Sequence, residues 1–141
     1  SAAVVSDAYR ISMVTVDGGP TALGSTATGG VTLVADRPVA GGGRGLGFNG
    51  GQLFYLAIAA CVSNDLYREA APMGITIRRV SIDVDGDFPG RGSASTAVDV
   101  AVSIEADADD AAIDALLAEV DRVAEIPASM RGTTSVRIYR A

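Results

Sequence analysis

Hydrophobic and polar positions change period several times along the chain, and each change marks an element. Residues 8–17 (AYRISMVTVD) and 30–36 (GVTLVAD) carry the short apolar runs of strands. A Gly-Gly-Pro turn at residues 18–20 and a loose Gly/Ser/Thr segment lie between them. After Arg37-Pro38 the run Gly41-Gly42-Gly43-Arg44-Gly45 predicts a flexible loop. The pattern then switches. Residues 52–71 (QLFYLAIAACVSNDLYREAA) contain no Pro or Gly and are rich in Ala and Leu, with Asn49 available as N-cap and Pro72-Met73-Gly74 as the stop. This predicts a long helix whose first half, apolar on every face, is buried, while Asn64, Asp65, Arg68 and Glu69 bring its second half to water.

Alternation returns after the helix. In residues 75–85, Ile75 and Ile77 share one phase and Val80, Ile82 and Val84 the other, so a bulge is expected at Arg78-Arg79. Residues 96–105 alternate without error, with Val98, Val100, Val102 and Ile104 inward and Asp99, Ser103 and Glu105 outward. Residues 107–124 form an amphipathic helix with Ile113, Leu116, Leu117, Val120 and Val123 on its stripe. Asp107, Asp109 and Asp110 stand at its positive end. Residues 134–140 (TSVRIYR) close the chain as a strand. The order is strand, strand, buried helix, strand, strand, helix, strand, which predicts an α+β fold, and at 141 residues one domain spanning 1–141.

Composition narrows the chemistry. All eleven basic residues are Arg, scattered through a chain of net charge −6, which argues against a nucleic-acid or anionic-membrane surface. The longest uncharged stretch, 45–64, opens with glycines and is densely apolar only from 53 to 62, too short to span a bilayer. No basic segment followed by an apolar one opens the sequence, so the cytoplasm is the expected compartment. With no His and a single Cys there is no zinc set of the usual ligands, no Cys-His or Ser-His-Asp arrangement and no internal disulfide. With no Lys there is no Schiff base and no Walker phosphate loop. Neither a metal nor another cofactor is expected. Asp83, Asp85 and Asp87 share one face of a strand end, where a solvated acidic edge that discourages sheet pairing accounts for them.

The remaining candidate is Cys61. By position in AIAACVS it is a small core hydrophobe. A functional role needs the thiolate, and mid-helix the dipole gives little help, so a cation must come from elsewhere. Asp65, at i+4, opposes ionisation if it faces the sulfur, and Arg68 lies too far along the helix. Arg37 and Arg44 in the preceding loop are the candidates, each otherwise a solvated loop charge, with Arg44 preferred as the catalytic partner of Cys61.

The run Asn49-Gly50-Gly51-Gln52-Leu53-Phe54 leading to Ala59-Ala60-Cys61 resembles the N-P-E-Q-L-F and A-A-C motifs of the OsmC and Ohr family of thiol-dependent organic hydroperoxide reductases. Similarity continues through Gly74-Ile75 and Val84-Asp85-Gly86-Asp87. It extends to Pro127-Ala128-Ser129 and Arg131-Gly132, which resemble the family's C-P-x-S followed by R-G. The resemblance runs from about residue 8 to the C-terminus. It implies antiparallel sheets wrapped around a long buried central helix, in an intertwined homodimer with its site at the subunit interface. It also implies that Cys61 is the peroxidatic thiol. Three departures fall at the chemistry. Ile126 stands where peroxidase members carry the resolving cysteine, Gly51 replaces the Glu that orients the activating Arg, and residues 22–30 contain no charge to supply that Arg.

Two functions follow. One is a one-cysteine peroxidase of oxidative stress defence that reduces an organic hydroperoxide and is restored by an external thiol. The other is a non-redox OsmC-fold protein that binds a small or lipid-like molecule in the apolar cleft beside the central helix, with Cys61 as lining.

Overall fold

The computed structural model describes residues 9–27 and 29–141, so Ala8 of the first expected strand lies outside the described residues. The chain forms two compact units, Ser1–Leu53 and Phe54–Ala141.

The first unit is a three-stranded antiparallel meander of β1 (Ile11–Thr15), β2 (Ala22–Thr26) and β3 (Thr32–Ala35). The two expected strands are present as β1 and β3. The Gly/Ser/Thr segment between them is the middle strand, with Gly24 opposite Met13 on one side and Leu33 on the other. Its residue types are poor strand formers, but pairing on both edges supplies what propensity lacks. The turn from β1 to β2 passes through left-handed Asp17 (φ 54°) and Gly18 (φ 67°).

The glycine-rich run after β3 is built on a buried carboxylate, contrary to the expectation of a flexible loop. Asp36 accepts hydrogen bonds from the Thr21 hydroxyl (3.0 Å) and from the amides of Arg37 (2.7 Å), Leu46 (3.2 Å) and Arg44 (3.3 Å). Burial works against its ionisation, but the Leu46 and Arg37 amides, the Thr21 hydroxyl and the Arg44 amide outweigh it and hold its pKa below the usual carboxylate value. Phe48 then pairs alongside β3, its amide donating to Val34 and its carbonyl accepting from Asp36. The glycines serve close approach. A Cβ on Gly43 would lie 2.0 Å from the Arg37 carbonyl oxygen, and one on Gly47 would lie 2.1 Å from that of Val34. Gly47→Ala is therefore expected to cost about 1–3 kcal/mol, whereas Gly50→Ala, with nothing within 4 Å of the new methyl, should be neutral or slightly stabilising. Thermal unfolding of the two variants side by side checks this.

Helix α1 (Gly50–Ala70) starts on a reciprocal capping box. The Asn49 side chain accepts from the Gln52 amide (2.9 Å) while the Gln52 side chain accepts from the Asn49 amide (2.8 Å). The N-cap expectation is met, with Gln52 completing it.

The second unit carries a sheet in the order β4 (Ile77–Asp85), β5 (Val98–Ala106), β6 (Val136–Arg140). The expected bulge occurs between Ile77 and Arg79. Not every pairing is antiparallel: β4 pairs antiparallel with β5, but β6 runs parallel to β5. Helix α2 (Asp110–Val123) and a short helix α3 (Glu125–Met130), absent from the sequence-based order, make the crossover that a parallel pair requires. Asp109 caps α2 by accepting from the Ala112 amide (2.8 Å). The core joins Ile58, Val62, Leu66 and Ala70 of α1 to Val98, Val100 and Val102 of β5 and to Ile113, Leu116, Leu117 and Val120 of α2.

Burial along α1 differs from the sequence pattern in both halves. The first half is not enclosed, since Leu56 is 41% exposed, and only the stripe at every fourth residue from Ile58 is fully covered. In the second half, Asp65, expected at the surface, is only 4% exposed. The neighbouring Arg68 accounts for this, because it brings a positive charge to the carboxylate as it leaves water.

Candidate functional site

Cys61 sits on the buried side of α1, three residues after Ile58, and is half-buried against the core of the second unit. Its Sγ donates to Oδ2 of Asp65 at 3.9 Å, one turn on. The other carboxylate oxygen, Oδ1, pairs with the Arg68 guanidinium at 3.2 Å, and Arg68 also holds Glu69 at 3.0 Å. Opposite the sulfur is the start of α3, whose backbone at Ile126 and Glu125 favours the thiolate. One ligand atom each from Cys61, Asp65 and Glu125 lies within 4.8 Å of the others. These three are the groups that could take up a metal ion, although Asp65 would have to share its charge with Arg68.

Electrostatically the site favours the thiol. Burial pushes the Cys61 pKa up, the Ile126 amide pulls it down, and the Asp65 and Glu125 carboxylates raise it further. Asp65 is itself raised, by burial first, against the lowering effect of Arg68. The expectation that Asp65 would oppose ionisation if it faced the sulfur is met, because it does face it. Arg44 belongs to the first unit, where its guanidinium pairs with Asp17 at 3.3 Å. Arg37, in the same unit, donates its backbone amide to Asp36.

Two features of the second unit escaped the sequence reading. Glu125 reaches Cys61 only because α2 returns α3 to α1, and no periodicity connects positions 64 residues apart. Phe54 and Tyr55, in the first turns of α1, form an aromatic cluster with Phe88. Tyr55 stacks on Phe88 at 5.4 Å, Phe54 meets Phe88 edge-on at 6.0 Å, and the Tyr55 hydroxyl bonds Ser95 Oγ at 2.9 Å. The adjacent Phe54-Tyr55 pair was the available signal, but its partner lies in a loop 33 residues on. No helix among the described residues is long and apolar enough to cross a membrane.

Comparison with known proteins agrees with the fold. An OsmC-like protein from Mycoplasma pneumoniae superposes with a TM-score of 0.76 at 16% identity, covering 94% of this chain and 96% of that one. The organic hydroperoxide resistance protein OsmC of Legionella pneumophila gives a TM-score of 0.70 at 23% identity, over 94% and 97%. A Vibrio cholerae protein, provisionally named an organic hydroperoxide resistance protein and holding captopril in one of its active sites, gives 0.69 at 26%, over 94% and 91%. No curated protein sequence gives a significant match. The family profile described as "OsmC-like protein" covers residues 41–138, which include α1, its cysteine and the start of α3 at Ile126-Pro127, and the chain belongs to this OsmC/Ohr family.

Proposed function

We propose that this protein is a one-cysteine thiol peroxidase that reduces organic hydroperoxides in the cytoplasm, with Cys61 as the catalytic thiol and Arg44 as the cation that favours its thiolate. The observation that carries this reading is the placement of Cys61 against the start of α3, the segment where the family's second cysteine would stand, with a Glu125 carboxylate oxygen within 4.8 Å of the sulfur. The Legionella pneumophila and Vibrio cholerae neighbours, named for organic hydroperoxide resistance, support it. In the reaction the Cys61 thiolate attacks the outer peroxide oxygen, the O–O bond breaks, and the alkoxide leaves as the alcohol after taking a proton. Cys61 becomes a sulfenic acid. One external thiol displaces water to give a mixed disulfide, and a second releases Cys61 as the thiol with an external disulfide as the other product.

A second reading has its own support. The thiol is pushed up rather than down, and the cluster of Phe54, Tyr55 and Phe88 at the start of α1 is a surface on which an apolar molecule can stack. The captopril-bound neighbour is an instance of a small ligand in this fold. In this reading the protein binds a small apolar ligand and Cys61 is inert.

Treatment with tert-butyl hydroperoxide separates the two. The peroxidase reading expects a Cys61 sulfenic acid trapped by a dimedone-type probe, absent in Cys61→Ser, and slower alkylation of Cys61 in Arg44→Ala. If the wild-type protein gives no sulfenic acid under excess hydroperoxide and Arg44→Ala alkylates normally, the ligand-binding reading replaces it. Either reading includes a homodimer. Leu56 on α1, and Ile11, Met13 and Leu33 on one face of the first sheet, are exposed apolar side chains that a second copy would cover. Sedimentation at micromolar concentration should give a dimer, and a clean monomer would remove this part of the proposal.

A further inference from the structure

We propose that Asp65 is a positioning residue for Cys61, holding the thiol proton and giving the site an acidic character that selects neutral and cationic reaction partners over anionic ones. The inference rests on the reading of Cys61 as the reacting thiol.

Asp65 is nearly fully buried yet keeps two directed contacts, which divide its oxygens between two tasks. Oδ1 is anchored on Arg68 and Oδ2 accepts from the sulfur, so the carboxylate is oriented from behind and presents one free edge to the thiol. The surrounding charges do not cancel. Asp65 of α1 and Glu125 of α3 act on the sulfur, while Arg68 and Glu69 surround Asp65, and Arg122 of α2 lies near Glu69. Arg68 serves both Asp65 and Glu69, while Glu125, exposed beside the sulfur, is in no ion pair among the described residues. Two carboxylates, Asp65 and Glu125, therefore act on the sulfur, and the one cation beside them, Arg68, sits on the far oxygen of Asp65.

Two consequences follow for reactivity. A reagent that carries a carboxylate or sulfonate is repelled as it nears the sulfur, and a cationic one is attracted. Among hydroperoxides the site should prefer neutral alkyl species to fatty-acid hydroperoxides, whose carboxylate is ionised. Among reductants it should prefer uncharged thiols to acidic ones. Removing the Asp65 charge should relax this selectivity and ease ionisation of the thiol, because a neighbouring anion disfavours the thiolate.

Two methanethiosulfonate reagents of equal size test this, one ending in trimethylammonium and one in sulfonate. Each rate with Cys61 is divided by that reagent's rate with 2-mercaptoethanol. The wild-type protein should favour the cationic reagent by about tenfold at low salt, with the preference shrinking as salt screens the charges. Asp65→Asn should reduce the ratio by about threefold and move the alkylation midpoint to lower pH. Glu125→Gln, on an exposed side chain, should lower the ratio even where Asp65→Asn disturbs folding. Equal normalised rates in the wild type, or a ratio unchanged in both variants, would overturn the proposal. The readout needs no peroxidase turnover, so a protein that forms no sulfenic acid but keeps the charge preference would refute the peroxidase reading and leave this one standing.

Discussion

With Ile126 replaced by Cys, hydroperoxide-treated protein is expected to close an internal disulfide to Cys61, losing both free thiols and two hydrogen atoms of mass. The geometry behind this is specific. Glu125, the residue before Ile126, has a carboxylate oxygen within 4.8 Å of the Cys61 sulfur, so this segment of α3 lies beside the thiol. Cys61 and Ile126 also pack against the same core. In the wild-type protein the sulfenic acid has no second thiol to meet and should persist or go on to the sulfinic acid. In Ile126→Cys the new thiol should intercept it, so that turnover passes through an internal disulfide that a dithiol reductant can open. The closed loop of roughly 65 residues should also stabilise the oxidised form by about 4 kcal/mol in the chain-entropy model. Mass spectrometry of the intact protein and of its peptides reads the outcome. If over-oxidation of Cys61 proceeds as in the wild type, the two positions do not meet in the working protein.

Leu66→Ala is expected to be the most damaging single truncation on α1. Leu66 is 0% exposed and belongs to the core cluster that joins α1 to β5 and α2. Removing its side chain sacrifices transfer free energy and leaves a cavity that the flanking Val62 and Ala70 are too small to fill, at a cost of about 3 kcal/mol. For a chain of this size that corresponds to a fall of roughly 10 °C in the thermal midpoint. Leu56→Ala provides the contrast, because Leu56 is 41% exposed within one chain. It should cost less than about 0.5 kcal/mol in a monomer. A larger loss that depends on protein concentration would show that a second copy covers Leu56. Thermal unfolding of both variants at two concentrations separates these cases. Equal, small effects from both would mean that the α1 stripe does not hold the core together.

Elements whose cues are local were legible along the chain alone. Periodicity located β4, β5 and α2, down to the slip at Arg78-Arg79, because a buried face forces alternation and a bulge breaks its phase. Asn49 marked the start of α1, because an orphan amide at a helix start needs an acceptor beside it in the chain. The motif around Cys61 identified the family because it is contiguous. Features that depend on residues distant in sequence emerged with the fold. The middle strand β2 had no periodic signal and forms because β1 and β3 pair with it. The parallel placement of β6 follows from the crossover through α2 and α3. The glycine run at 41–45 pointed to mobility in the sequence, but Asp36 draws the surrounding amides inward, and at 43 and 47 only a residue without a Cβ fits against the Arg37 and Val34 carbonyls. The charge around Cys61 was likewise half legible: Asp65 could be placed by helical spacing, whereas Glu125 and the Ile126 amide arrive from a helix more than sixty residues away. An electrostatic site is a sum over neighbours in space, and the fold alone determines which residues those are.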